Sequence, residues 1–288
     1  MANQQIAHVL FPFDFSSQGE QAAPFVAALA TAFGAKVTLY SVVPPVWDMS
    51  LAATGPVVGD SVTDWVRELK ARLDRALPSA FSGVTVERVV ESGDPALRIV
   101  AFAESSGADL IMMPTHGAGP YRSLLLGSVT AKVLHDAKCA VWTAAHAETQ
   151  KAAQTPRTVL CALDGTPSNP ALLRWAAAFC GTVGASLKLL HVVSPISDFL
   201  TISGEQSLQD RFRDHATDKV MALQRAAGVE APLRVAVGEI AATITEHARQ
   251  EHADLILIGR GAAQSTLGRL RTHAHSIIQR APCPVVSV

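Results

Sequence analysis

Short apolar segments alternate along the chain with longer segments in which apolar residues recur at helical spacing. Residues 110–113 (Leu-Ile-Met-Met) are an example of the first kind. Asp64 to Leu77 is an example of the second kind, because Trp65, Leu69 and Leu73 fall on one face of a helix. Short strands that are separated by helices indicate βαβ units and a parallel sheet, which is covered by helices on both faces.

The same order of segments occurs twice. The segment from His8 to Asp14 matches the segment from Thr158 to Asp164, and each is an apolar strand that ends on an aspartate. Further matches are 34–44 with 184–194, 107–114 with 251–259, and 137–143 with 281–287. Self-similarity of this kind indicates duplicated structural units. We therefore predict an α/β fold of two tandem doubly wound domains, each a five-stranded parallel sheet with helices on both faces, at residues 1–145 and 157–288 with a linker at 146–156.

Composition narrows the class of protein further. At 288 residues the chain is long enough for two domains of about 150 residues each. Apolar residues make up 49% of the chain, but they form no continuous run of about 18, so we expect buried sheets and no membrane span. No signal peptide is recognisable and the four cysteines show no CxxC spacing, which favours a reducing cytoplasm. A net charge of −1 without basic runs argues against nucleic-acid binding.

The segment after the fourth strand of the first copy has the features of an anion-binding loop. Gly117 opens it, nine residues follow, and Gly127 and Ser128 stand at the start of a helix predicted from Val129 to His135. Glycines allow a positive φ and a close approach to an anion, while a serine hydroxyl and the first N–H groups of a helix donate to phosphate. In doubly wound sheets, ligands bind at this carboxyl edge. The alternative is that Gly117 is only a turn residue and Ser128 only a helix cap.

With the repeat, the aspartates and this loop together, the chain resembles the universal stress protein family in its tandem two-domain form. The resemblance extends from Asp14 to Val141 and from Asp164 to Val288. Nucleotide-binding members of that family carry Gly-x-x-Gly, nine residues, then Gly-Ser or Gly-Thr. The first copy keeps this pattern, except that Pro114 replaces the first glycine.

The resemblance implies a ligand and its site. The ligand would be ATP or a related adenine nucleotide, with or without Mg²⁺. Asp14 and Val42 would lie at its adenosine end, and the loop and helix start at its phosphates. The set expected in the first copy is Asp14, Val42, Met113, Pro114, His116, Gly117, Gly127, Ser128, Val129 and Thr130.

Pro114 changes the expected affinity. A proline removes one backbone donor, fixes φ near −65°, and favours extended backbone at the preceding residue, which suits a strand end. The loss of one neutral hydrogen bond costs about 0.5–1.5 kcal/mol, roughly a tenfold weakening. We therefore expect the first copy to retain nucleotide binding. His116 either contacts a ligand or is a solvated loop residue.

The second copy departs further from the family pattern. It reads Gly259-Arg-Gly261, nine residues, then Arg271 and Thr272. Thr272 keeps the hydroxyl, but Arg271 stands where the third glycine would be, and a positive φ there would cost about 1–2 kcal/mol. The nearby arginines either bind a phosphate or carboxylate, pair with acidic groups, or face water. We expect a degenerate or repurposed site formed by Asp164, Val192, Gly259, Gly261 and Thr272.

The sequence contains no catalytic constellation. It lacks a Walker motif and a recognisable Ser-His-Asp arrangement. His273 and His275 would point to different faces of a helix, and no Cys or Asp at ligand spacing joins them, so we expect no metal site. We expect a stress-response regulatory protein that binds one adenine nucleotide per chain, mainly in the first domain, and that is at most a slow ATPase. The resemblance also implies self-association through the last strands, including pairing between the two copies. The alternative function is a scaffold or dimerisation protein whose nucleotide sites have decayed.

Overall fold

The computed structural model describes residues 6–45, 62–115, 126–144, 155–194, 206–260 and 269–288, with backbone alone for 62, 206–212 and 269–272. The chain divides into two compact units, Ile6–Thr155 and Pro156–Val288. We refer to them as the first and second domains. Residues 146–154 of the predicted linker lie outside the described residues.

The first domain is a five-stranded parallel sheet with helices between the strands. Its strands are β1 (His8–Pro12), β2 (Lys36–Val43), β3 (Val86–Ser92), β4 (Leu110–Pro114) and β5 (Ala140–Ala144), and its described helices are α1 (Ser17–Phe33), α2 (Val62–Asp74), α3 (Pro95–Ser106) and α4 (Ser128–Asp136). The strands pair in the order β3-β2-β1-β4-β5, and every pair is parallel.

The second domain repeats this topology. Its strands are β6 (Thr158–Leu163), β7 (Ser186–Val193), β8 (Leu233–Val237), β9 (Leu255–Ile258) and β10 (Val285–Ser287), and its described helices are α5 (Asn169–Val183), α6 (Gln206–Ala227), α7 (Ile240–Gln250) and α8 (Arg269–Arg280). The parallel order is β8-β7-β6-β9-β10. The predicted doubly wound α/β fold is therefore confirmed in both copies.

The cores explain why the central strands are almost wholly apolar. In the first domain Leu10, Ile111 and Val141 are fully buried, and they share a cluster with Ile99 of α3 and Val133 of α4. The other face of this sheet is covered by α1, which contacts β1, β2 and β4. A parallel sheet that is buried on both faces needs apolar residues at consecutive positions, and this requirement produces the short continuous apolar runs in the sequence.

An aspartate fixes the amino end of the first strand in each domain. Asp109 Oδ2 accepts hydrogen bonds from the backbone N–H groups of residues 7 and 8, at 2.8 and 2.9 Å. Asp254 Oδ2 accepts from residues 157 and 158, both at 2.9 Å. The Ala-Asp-Leu sequence shared by the two copies therefore has a structural role, because it joins the fourth strand of each domain to the start of its first strand.

Helix α2 ends earlier than its apolar spacing predicts. The pattern predicted a helix to Leu77, but α2 ends at Asp74. Leu77 has a φ of 52°, in the left-handed region that a right-handed helix cannot contain. The apolar spacing continues past the end of the helix because Leu77 is still partly buried.

Candidate functional site

The strand order places the candidate site at the carboxyl ends of β1 and β4. From β1 the chain moves to β2 and β3 on one side, then crosses to β4 and β5 on the other. The crevice between β1 and β4 is therefore the switch point at which doubly wound folds bind ligands. Asp14 follows β1 and Thr115 follows β4, so the structure brings the predicted aspartate and the predicted loop to the same edge of the sheet.

Asp14 forms a tight turn and remains exposed. Its Oδ1 accepts hydrogen bonds from the backbone N–H of Ser16 at 3.0 Å and from the Ser16 hydroxyl at 2.5 Å. Ser16 Oγ in turn accepts from Gly19 N at 3.2 Å and caps α1. The carboxylate is thus held in one orientation beside the switch point.

The second domain holds its matching aspartate more firmly. Asp164 Oδ1 accepts from Thr166 N at 3.0 Å, from Thr166 Oγ1 at 2.7 Å and from Asn169 Nδ2 at 2.7 Å. Asn169 Oδ1 also accepts from Gly165 N at 2.9 Å. Because Asn169 is buried, it fixes the whole turn at the start of α5. Sequence reasoning missed this role, because the five-residue spacing from Asp164 to Asn169 matches no helical or strand period.

Helix α4 is attached directly to the end of β4. Gly127 N donates to Thr115 O at 2.9 Å, and Thr130 Oγ1 donates to Pro114 O at 3.2 Å. Thr115 Oγ1 donates to Ala144 O at the end of β5, at 3.0 Å. The two ends of the predicted phosphate loop therefore meet at the switch point. Residues 116–125 between them, including His116 and Gly117, lie outside the described residues.

These hydrogen bonds determine which N–H groups at the start of α4 remain available to an anion. Gly127, with φ −58° and ψ 144°, is the N-cap of α4, so the expected positive φ at the third glycine was wrong, and the alternative in which Ser128 is the cap is excluded as well. The Gly127 N–H donates to Thr115 O, and the first helical bond runs from Ala131 N to Gly127 O at 2.8 Å. The N–H groups of Ser128, Val129 and Thr130 have no acceptor inside the helix. Together with the exposed Ser128 hydroxyl, they are the groups at the start of α4 that remain available to an anion.

The remaining predicted residues of the first domain lie in the strands below this edge. Pro114 is the last residue of β4 and pairs with Ala144, as expected for a proline at a strand end. Met113 is buried within β4, and Val42 is half-buried in β2. Met113 and Val42 belong to the apolar cluster that also contains residues of α3 and α4.

Charged residues that the sequence analysis did not single out border α4. Lys132, in the second turn of α4, lies 3.5 Å from Asp94 Oδ1. Asp94 caps α3 by accepting from Leu97 N at 2.9 Å, and this bond and Lys132 lower the pKa of the carboxyl group. Nearby, the Tyr40 hydroxyl donates to Glu91 Oε2 at 3.0 Å, and burial together with Glu91 raises the pKa of the phenol. The Gly93-Asp94-Pro95 sequence, a helix-start pattern, was the available signal.

In the second domain the helix that matches α4 begins at a different residue. Thr272 aligns with Ser128, yet α8 begins three residues earlier, at Arg269. Arg271 is consequently a helical residue with negative φ, so the expected strain at this position was wrong. A Cβ at Gly259 would lie 3.4 Å from Leu172 Cδ2, an ordinary contact, so packing does not require glycine there. Gly261 and the side chains of Arg271 and Thr272 lie outside the description.

Val192 is the last of the residues that we expected in the site of the second domain. It lies in β7, half-buried, at the position that matches Val42. Within the described ranges, no group of three or more His, Cys, Asp or Glu side chains is placed to hold a metal ion. No helix in the described part of the chain is long and apolar enough to cross a membrane.

Fold and site together define a tandem α/β protein in which two doubly wound domains each present an aspartate turn at the switch point. The sequence profile described as "Universal stress protein family" matches residues 5–144 and 155–288. The chain therefore belongs to the universal stress protein family, in its tandem form.

Known relatives agree with this assignment. A universal stress protein of Methanocaldococcus jannaschii is 30% identical over 142 residues, which are 44% of this chain and 86% of that protein. One of Mycolicibacterium smegmatis is 24% identical over 297 residues, covering 97% of this chain and 96% of that protein. The crystal structure of a universal stress protein from Archaeoglobus fulgidus matches with a TM-score of 0.67 at 20% identity, over 99% of this chain and 96% of that chain. This last match concerns the fold.

Proposed function

We propose that the first domain binds an adenine nucleotide and that the protein is a cytoplasmic stress-response regulator whose state depends on that nucleotide. The observation that carries the proposal is the attachment of α4 to the switch point through Gly127 and Thr130. This attachment holds the exposed Ser128 and the first N–H groups of α4 at the edge of the sheet where Asp14 follows β1.

The phosphates would bind mainly through the backbone. The N–H groups at the start of a helix carry a partial positive charge, and a favourable contact with an anion contributes about 0.3–1 kcal/mol, and up to about 2 kcal/mol where partly buried. The Ser128 hydroxyl adds a further donor. Asp14 would bind the adenosine end, as the family resemblance implies. Because the donors are neutral, Mg²⁺ bound to the nucleotide would be compatible with the site.

The same geometry supports binding more than turnover. The described carboxylates at and beside the first-domain site already have partners: Asp14 Oδ1 accepts from Ser16, Asp94 from Leu97 N, and Glu91 from the Tyr40 hydroxyl. Efficient hydrolysis requires a positioned base or metal for the attacking water. We therefore propose a nucleotide-binding regulator with at most slow ATPase activity, and self-association through the last strands remains part of the proposal.

Replacement of Ser128 by valine tests the site. Ser128→Val removes the hydroxyl and places a branched apolar side chain at the first residue of α4. We expect the affinity for ATP, measured by calorimetry on the full chain, to fall at least about tenfold, because a polar donor is lost and phosphate space is occupied. The matched control is Thr272→Val in the second domain, which should leave the affinity unchanged. The proposal fails if the wild-type chain binds none of ATP, ADP and AMP at millimolar concentration.

One observation favours a scaffold without nucleotide. Pro114 has no N–H, and the Gly127 N–H donates to Thr115 O, so neither residue offers a backbone donor to phosphate. Absorbance at 260 nm distinguishes the two functions. Adenine nucleotide that remains with the protein through purification would exclude the scaffold, whereas its absence together with a flat calorimetric titration would support it.

A further inference from the structure

A lysine on α4 carries a positive charge close to the helix start at which we place the phosphates. Lys132 follows Ser128 by four residues, so the two side chains lie on the same face of α4, one turn apart. Side chains of a helix lean towards its amino terminus, and this directs the Lys132 stem towards the first turn of α4. Lys132 is also the first charged residue along this helix.

The ion pair of Lys132 shows where its ammonium group lies. Nζ is 3.5 Å from Oδ1 of Asp94, which caps α3 two residues after the end of β3. The preceding residue, Gly93, donates its N–H to Val43 O at the end of β2. The ammonium group therefore lies at the carboxyl edge of the sheet, which is the edge that also presents Ser128.

The pair between Lys132 and Asp94 is open to exchange. The two side chains are 42% and 48% exposed, and solvent-exposed ion pairs contribute little to stability. An anion that carries more than one charge can therefore compete with Asp94 for the ammonium group. This group has three N–H donors, more than one carboxylate oxygen uses, so donors remain for a ligand at the start of α4.

The second domain has a different residue at the matching position. Ser276 corresponds to Lys132, because Thr272 corresponds to Ser128. The equivalent helix cap, Glu239, pairs instead with Arg280 at 3.7 Å, and Arg280 is the last residue of α8. A lysine one turn into the helix is therefore a feature of the domain for which we propose nucleotide binding.

We propose that Lys132 binds the phosphate chain of the nucleotide and makes the first domain select nucleotides over the uncharged nucleoside. This inference rests on the proposed nucleotide function and assigns the residue that recognises phosphate charge. On binding, the ammonium group moves from Asp94 to a phosphate oxygen and forms a charge-assisted hydrogen bond, which is stronger than the neutral bonds from the backbone. The Asp94 carboxylate opposes binding, because it competes for Lys132 and repels the phosphates.

Calorimetry of the full chain with ATP and with adenosine tests the role of Lys132. Mg²⁺ is omitted, because the metal would neutralise part of the phosphate charge. We expect Lys132→Met to lower the affinity for ATP about tenfold, since the charge-assisted bond is lost while the aliphatic stem is kept, and to leave the affinity for adenosine unchanged.

Lys138→Met is the matched control. Lys138 follows the end of α4 and pairs with Glu104 of α3 at 3.2 Å, so its removal costs the same charge and a similar ion pair at the opposite end of the helix. The affinity for ATP should stay at the wild-type value.

Asp94→Asn has the opposite expected effect. Asparagine keeps an oxygen that caps α3 but removes the charge that attracts Lys132 and repels phosphate, so the affinity for ATP should rise severalfold. If the ion pair had only a structural role, both variants would weaken ATP binding.

Three results overturn the proposal in a chain that binds ATP: Lys132→Met leaves the ATP affinity intact, it weakens ATP and adenosine equally, or Asp94→Asn weakens ATP binding. Each of these refutes the role of Lys132 and leaves the proposed nucleotide function standing. A wild-type chain that binds no nucleotide refutes both.

Discussion

His8 is the residue whose environment ties stability to pH. It is buried at the start of β1, where its Nε2 lies 2.8 Å from Thr38 Oγ1 and its Nδ1 lies 3.3 Å from Ser106 O. Burial, and secondarily Lys36, lower the pKa of its imidazole. The folded state therefore holds the neutral ring, and the unfolded state takes up a proton more readily.

We expect acid to destabilise the first domain through His8. A folded pKa below the unfolded value means that the stabilisation is complete above the unfolded pKa, 6.5, and is lost as the pH falls through the folded pKa. His8→Thr, the residue found at the matching Thr158, should reduce the loss of stability between pH 7.5 and 5. Urea unfolding at several pH values measures it. Equal pH dependence in variant and wild type would contradict the assignment.

At the residue scale, the sequence showed which positions differ between the two copies but not the backbone conformation at those positions. The sequence marked Gly127 and Arg271 as the positions at which the copies differ, and that difference is real. It did not reveal that Gly127 has a negative φ or that its N–H donates to Thr115 O. Those facts depend on where β4 ends in space relative to α4, and no local pattern records this.

At the scale of elements, the clearest test concerns the aspartate that links the fourth strand of each domain to the amino end of its first strand. Asp109 and Asp254 make equivalent pairs of hydrogen bonds in the two domains. Each pair holds the amino end of a central strand, where the first N–H groups would otherwise lack acceptors.

We expect Asp109→Ala to loosen the first domain and Asp254→Ala the second. Removal of an acceptor from two backbone N–H groups costs about 1–3 kcal/mol, with the lower end more applicable because both aspartates are exposed. Hydrogen exchange read by mass spectrometry should show faster exchange in residues 8–12 for the first variant and in 158–163 for the second. Each variant is the control for the other, and faster exchange in both domains with either change would disagree with a local role.

At the scale of elements, the two domains also differ in the residue at which the helix after the fourth strand begins. Helix α4 begins at Ser128 behind a glycine cap, whereas α8 begins at Arg269, before the residue that matches Ser128. The apolar periodicity predicted both helices but not their first residues.

At the scale of the whole molecule, nucleotide binding should stabilise the domains unequally. A ligand that binds only the native state adds RT ln(1 + [L]/Kd), about 2.7 kcal/mol at a concentration one hundred times Kd. With ATP we expect slower hydrogen exchange in residues 8–16 and 126–136 and no change in 158–166 and 269–280. Equal protection of both domains would show two nucleotide sites per chain and would contradict the asymmetry proposed here.

The sequence by itself determined the duplication, the alternation of strands and helices, and the doubly wound class. These follow from apolar periodicity and from repetition along the chain, both of which are local in sequence. Tertiary structure alone decided that Thr115 O takes the Gly127 N–H at the start of α4, and it alone brought Asp109 to the amino end of β1. Those arrangements join residues on different elements, and contacts through space leave no periodic mark on the chain.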